Sequence, residues 1–147
     1  MTPQELTELR ARALAAHDDL DLQLKTAYAC DRFGTEEDAV VHYDLVWGMR
    51  SNIPTQERAG FLVGYGSTLR NVGRFAESLK ILGSAVNEFP NDRSLQAFLA
   101  LSQLDSGKPA AAVATLLDAL ISMADRAPDI AAYCRALGHY RDELRKR

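Results

Sequence analysis

The sequence predicts an all-α protein, an α-solenoid built from antiparallel helix pairs. Two features of its 147 residues carry that prediction. Apolar residues recur at three- and four-residue steps almost throughout, with few β-branched runs between them, which is the period of a helix and not of a strand. Glycine and proline punctuation also falls at intervals that let the chain be laid on itself with an offset of 34 residues, the sign of a repeat architecture.

The elements follow in order. Leu6, Leu9, Ala13, Ala16, Leu20, Leu24 and Ala27 form one apolar stripe opened by Thr2-Pro3-Gln4-Glu5, the pattern of a capping box with proline at the first helical position. The stripe suits one long helix; His17-Asp18-Asp19 suits a break, with either aspartate capping a new helix near Leu20, and the break is the reading favoured here. Gly34 ends this segment, and Thr35-Glu36-Glu37-Asp38 starts the next with a hydroxyl cap and acids in the first turn. That helix runs to about Trp47. Gly48 to Pro54 reads as a loop. Thr55 restarts a helix that Gly73 closes, Phe75 to Glu88 forms another, and Pro90-Asn91-Asp92 breaks and recaps the chain for a helix ending at Ser106. Pro109 to Met123 and Pro128 to about Arg145 are the last two, each begun by a proline.

At the offset of 34, Gly73 falls on Gly107, Tyr65 on Leu99, Gly66 on Ala100, Ser78 on Ala112, Leu82 on Leu116 and Ala85 on Ala119. An offset of 39 in the other direction sets Gly34 on Gly73, Ala27 on Gly66, Ala39 on Ser78 and Tyr43 on Leu82, with the extra residues in the Gly48 to Arg58 connection. A 34-residue helix-turn-helix unit with small and apolar residues at these places resembles the tetratricopeptide repeat. The stretch GYGSTLRNVGRF, with NEFPND, FLAL and LLDALI, is similar to a small bacterial family of such proteins. The resemblance covers about residues 21–124 and implies a right-handed α-solenoid. It implies one domain, 1–147: an N-terminal helix, repeats at about 21–54, 59–92 and 93–126, and a C-terminal capping helix at about 128–145. Small residues deep in each first helix (Ala27, Gly66, Ala100) and early in each second one (Ala39, Ser78, Ala112) are implied to permit close packing. Tyr43, Leu82 and Leu116 hold the large apolar position. Gln23 and Gln96 depart from the pattern in repeats one and three.

Chemistry is not indicated. Gly64-Tyr65-Gly66 followed by Ser67-Thr68 suggests a phosphate loop, but no glycine stands at position 69, no lysine precedes Ser67, and helical spacing runs through it. His17, His42 and His139 share no ligand spacing, so no metal is expected. Cys30 and Cys134 form no C-x-x-C pair. No serine or cysteine has an adjacent base, so the expectation is a non-enzyme without cofactor. Seventeen basic against twenty acidic residues lack the positive field that nucleic-acid binding needs. The basic end, Arg141 with Arg145-Lys146-Arg147, suits a helix C-terminus. The absence of a long apolar run and of an apolar signal segment leads to the expectation of a cytoplasmic protein with no membrane partner.

The resemblance implies that the first helix of each pair lines a concave face. The partner-facing positions are then Leu24, Tyr28, Asp31 and Arg32 in repeat one, Val63, Ser67, Arg70 and Asn71 in repeat two, and Ala97, Leu101 and Leu104 in repeat three. A protein or peptide segment is the expected partner. A dedicated chaperone for a secreted substrate and a self-associating homodimer, through Leu101 and Leu104 or the Trp47 region, are the alternatives.

Overall fold

The computed structural model describes all residues from Met1 to Arg147 and contains helices and no strands. The α-helices are α1 (Pro3–Ala15), α2 (Leu20–Phe33), α3 (Glu36–Gly48), α4 (Thr55–Asn71), α5 (Phe75–Glu88), α6 (Arg93–Asp105), α7 (Pro109–Ile121) and α8 (Pro128–Arg145), with one 3-10 turn at Arg50–Asn52. They group into two compact units, Met1–Arg74 and Phe75–Arg147, divided between the two helices assigned above to repeat two. Within each unit helices pack mainly on their sequence neighbours: α1 on α2, α2 on α3, α3 on α4; α5 on α6, α6 on α7, α7 on α8. This is the nearest-neighbour stacking of a helical-repeat solenoid.

In the first unit the helix ends fall where local chemistry places them. Thr2 Oγ1 accepts from the Glu5 amide at 3.2 Å while Glu5 returns a carboxylate to the Thr2 amide at 2.6 Å, closing the capping box. The chain does break before Leu20, and Asp19 is the cap, accepting from the Leu22 amide at 3.0 Å. Thr35 caps α3 through the Asp38 amide. Asp38 also receives Arg10 of α1 at 2.5 Å. The departure at Gln23 has a purpose: this fully buried side chain donates to the carbonyls of Ala13 and Ala16, at 2.6 and 3.0 Å, and accepts from buried His42 at 2.8 Å. It thereby adds a second bond to carbonyls at the end of α1 that already accept from the Ala16 and Asp19 amides.

The first unit's core is aromatic. Tyr43 on α3 lies within 6.1 Å, ring centre to ring centre, of Tyr28, Phe61 and Tyr65, distances at which offset and edge contacts are favourable. Trp47 stacks on Phe61 and carries the Arg50 guanidinium 4.7 Å from its ring. Asp44 of α3 takes the Tyr65 hydroxyl of α4 at 2.6 Å and, at 2.7 Å, Arg74 just beyond the end of α4.

The second unit is built on smaller contacts. Ser78 of α5 and Ser102 of α6 share a buried hydroxyl hydrogen bond of 2.7 Å, which only small side chains at a close helix crossing permit. Asp92 caps α6, accepting from the Ser94 and Leu95 amides. Thr115 joins α7 to Gln103 of α6, and Asp118 joins α7 to Arg141 and Arg145 of α8.

The six small positions of the repeat, Ala27, Gly66, Ala100, Ala39, Ser78 and Ala112, are all buried. Gly73 and Gly107 share a left-handed conformation, φ +80° and +74°. Each is followed by the same back-bond, Arg74 to Leu69 and Lys108 to Gln103, the glycine-ended helix stop that side-chain-bearing residues resist. Gly34 differs, with φ −115°. Its requirement is space, since a Cβ there would meet the Cys30 carbonyl at 3.0 Å and Leu6 at 3.2 Å. One repeat position departs from its equivalents: Tyr43 and Leu82 are fully buried, whereas Leu116 is 45% exposed.

Candidate functional site

The predicted partner-facing residues fall on both units, and each group is described within its own. In the first unit α2 presents Tyr28, Asp31 and Arg32 at the surface, and α4 presents Val63, Ser67 and Arg70 half-buried with Asn71 exposed. Leu24 corrects the expectation: at 4% exposure it belongs to the core. Its helix is packed by α1, α3 and α4, which leaves too narrow a solvent strip to include it. In the second unit Ala97 is half-buried, and Leu101 and Leu104 are exposed on α6.

Around Tyr28 the first unit gathers more than the repeat pattern foretold. Tyr28 packs edge-on against Tyr43, whose hydroxyl donates to Asp31 at 3.0 Å. Burial, reinforced by Glu57, pushes the Tyr28 phenol up to about 12. The Asp31 carboxyl is raised above the usual range, chiefly by burial and further by Glu36, against the lowering effect of the Tyr43 hydrogen bond. Tyr43 itself is held neutral by burial, with Asp31 next in effect. Glu36, the first residue of α3, accepts from Asn71 at 2.6 Å, so Asn71 is tied to α3. Arg32 lies over the ring of its neighbour Phe33 at 5.4 Å.

The result is a surface tyrosine with carboxylates near it, exposed Asp31, bonded to the Tyr43 hydroxyl, and Glu57. Such a surface offers an aromatic contact and a place for a cation. It holds no nucleophile activated by a base. No group of three or more His, Cys, Asp or Glu side chains is placed to hold a metal ion, and no helix is long and apolar enough to cross a membrane. Asp31 and Tyr28 were legible as first-helix positions. The part played by Tyr43, Glu36 and Glu57 was not, although a tyrosine where Leu82 and Leu116 stand was a signal that this copy of the position carries a polar tip.

Stacked antiparallel helices with small residues at their crossings define a class, the helical-repeat scaffolds. Within it the chain belongs to the tetratricopeptide repeat family, whose model matches residues 21–144. The match extends the resemblance read from the sequence through most of α8. No curated protein and no solved structure matches the chain. Members of this family generally mediate protein–protein interaction and are generally non-catalytic.

Proposed function

We propose that this protein is a non-catalytic interaction module of three repeats that binds a protein or peptide segment on its first-helix faces, with Tyr28 and Asp31 as the centre of recognition. The observation that carries the reading is exposed Tyr28, packed on the Tyr43 ring whose hydroxyl donates to the exposed Asp31 carboxylate. A Lys or Arg brought by the partner pairs with Asp31, and its stem packs on Tyr28. The segment favoured is therefore one with a basic side chain next to an apolar one. Val63, Ser67 and Arg70 on α4 of the same unit supply further contacts.

The test is selection of a random peptide library on the full chain, followed by titration of the selected peptides. Enriched peptides are expected to carry Lys or Arg beside an apolar residue. Their binding is expected to weaken about tenfold or more in Tyr28→Ala and in Asp31→Asn, the scale of one lost interface anchor. Selected peptides whose affinity is unmoved by both substitutions overturn the assignment.

A further inference from the structure

The part of the first unit that the repeats do not account for is α1. The family model begins at residue 21, beyond α1, and α1 packs mainly on α2 with Leu6, Leu9 and Ala13 as its buried residues. A short turn in which His17, Asp18 and Asp19 are exposed joins the two helices.

The polar moorings of α1 converge on one buried group, His42 of α3. Gln23 of α2 commits its amide nitrogen to the Ala13 and Ala16 carbonyls, so its Oε1 accepts and the hydrogen it shares with His42 sits on Nδ1. One turn back along the same face of α3, Asp38 takes Arg10 of α1 at 2.5 Å. Arg10 Nε is buried with no partner, so the guanidinium depends on Asp38. The two links set the end of α1 over His42, which is 1% exposed.

Acid acts on this arrangement at one atom. With Nδ1 already protonated, a second proton goes to Nε2 and gives the ring a charge that water does not reach. Arg10 from α1 opposes that charge and Asp38 from α3 favours it; α2 faces the ring with the uncharged Gln23 amide, and α4 meets α3 through Tyr43 and Trp47 instead. Burial first and Arg10 second hold the ring's pKa below its ordinary value. Lifting α1 removes both causes. Water reaches the ring, Arg10 leaves, and Asp38, one turn from His42 on the same helix, is left to pair with the imidazolium.

We infer that α1 is an acid-released latch: protonation of His42 exchanges the Arg10–Asp38 pair for a His42–Asp38 pair and lifts α1 from α2 while the rest of the first unit stays folded. The lifted state takes up the proton first, so docking is full above about pH 6.5, the ordinary histidine value, and weakens as pH falls below it.

Cys30 reports the lifting. It is fully buried, lies within the field of Arg10 and Asp38, and shares with Leu6 of α1 the space around Gly34. In a Cys134→Ser background its rate of modification by dithiodipyridine, divided at each pH by that of a free cysteine peptide, is expected to rise about tenfold from about pH 7.5 to about pH 5.5, the proton-uptake factor of an ordinary histidine over that span. The α4 amides are expected to keep their hydrogen-exchange protection meanwhile. His42→Gln is expected to make the ratio independent of pH, whatever its level. Asp38→Asn is expected to raise the ratio at neutral pH, by freeing Arg10, and to move its rise to lower pH, by depriving the imidazolium of its partner. A wild-type ratio flat across the range overturns the inference, as does a rise that persists in His42→Gln. A rise matched by equal loss of α4 protection overturns it too, because the whole unit is then unfolding. A rise at unchanged pH in Asp38→Asn overturns the exchange of partners.

Discussion

Gly64 of α4 lies against the phenol of Tyr43 on α3: a Cβ at Gly64 would stand 3.0 Å from Cζ of that ring and nearer still to its hydroxyl oxygen. The ring cannot retreat, because Tyr43 is fully buried, packed on Tyr28, Phe61 and Tyr65, and hydrogen-bonded to Asp31. A mid-helix glycine costs about 1 kcal/mol relative to alanine, and here the close approach offsets that cost.

Gly64→Ala should therefore destabilise the protein by about 1–3 kcal/mol, the usual range of overpacking, where helix propensity alone predicts a gain. In a Tyr43→Phe background the same change should cost less, because the nearest atom is gone. Urea unfolding of the four proteins of this cycle measures the coupling. Strictly additive effects would show that the two residues do not touch.

Gln23→Leu restores the apolar character of the repeat pattern yet should lower stability by about 1–3 kcal/mol. It leaves the buried His42 ring without its partner and removes one of the two bonds at each of the Ala13 and Ala16 carbonyls, which keep only the Ala16 and Asp19 amides. The loss should be local before it is global. Hydrogen exchange should show α1 amides losing protection first, while those of α3 and α4 keep theirs.

His42 sets a pH dependence. Burial, helped by Arg10, lowers its folded-state pKa against the opposing pull of Asp38. The unfolded chain then takes up the proton first, so stability is full above about pH 6.5, the ordinary histidine value, and falls as pH drops below it. Urea midpoints measured from pH 8 to pH 5 should show this decline, and His42→Gln should be less stable at pH 8 but flatter across the range. A decline that survives unchanged in His42→Gln assigns it to other groups.

Asp92→Ala should cost about 1 kcal/mol, the typical worth of a side-chain cap, through loss of the bonds to the Ser94 and Leu95 amides. The bond from the Ser94 side chain, with those from the backbone amides, holds the Asp92 carboxyl below its ordinary range. The cap's contribution is therefore present above about pH 4 and lost as pH falls through the lowered value. Asp92→Asn should retain most of the capping and shed that acid sensitivity, as melting temperatures at pH 7 and pH 3.5 would show.

Much of the candidate face was legible from the repeat offsets, because Tyr28, Asp31 and Arg32 lie at first-helix positions that the family turns outward. Leu24 was misplaced by the same rule. An offset cannot tell that α1, α3 and α4 all press on α2 and narrow its open strip. Gly66 drew notice as a close-packing glycine, and it is buried. Gly64, two residues before it, is the one whose missing Cβ makes room for Tyr43.

Local rules determined where each helix begins and stops: the capping box at Thr2, the caps at Asp19, Thr35 and Asp92, the prolines at 109 and 128, and the left-handed glycines at 73 and 107. These depend on residues within a turn of each other, so the sequence alone suffices. The helical period and the repeat offset likewise determined the fold class, because stacking neighbours reuse one set of small positions. Tertiary structure alone decided the rest. Gln23 reaching the end of α1, Asp31 meeting Tyr43, and Leu116 left open where Tyr43 is covered all depend on contacts between residues distant in the chain, and no periodicity encodes which of two helix faces a neighbour will choose.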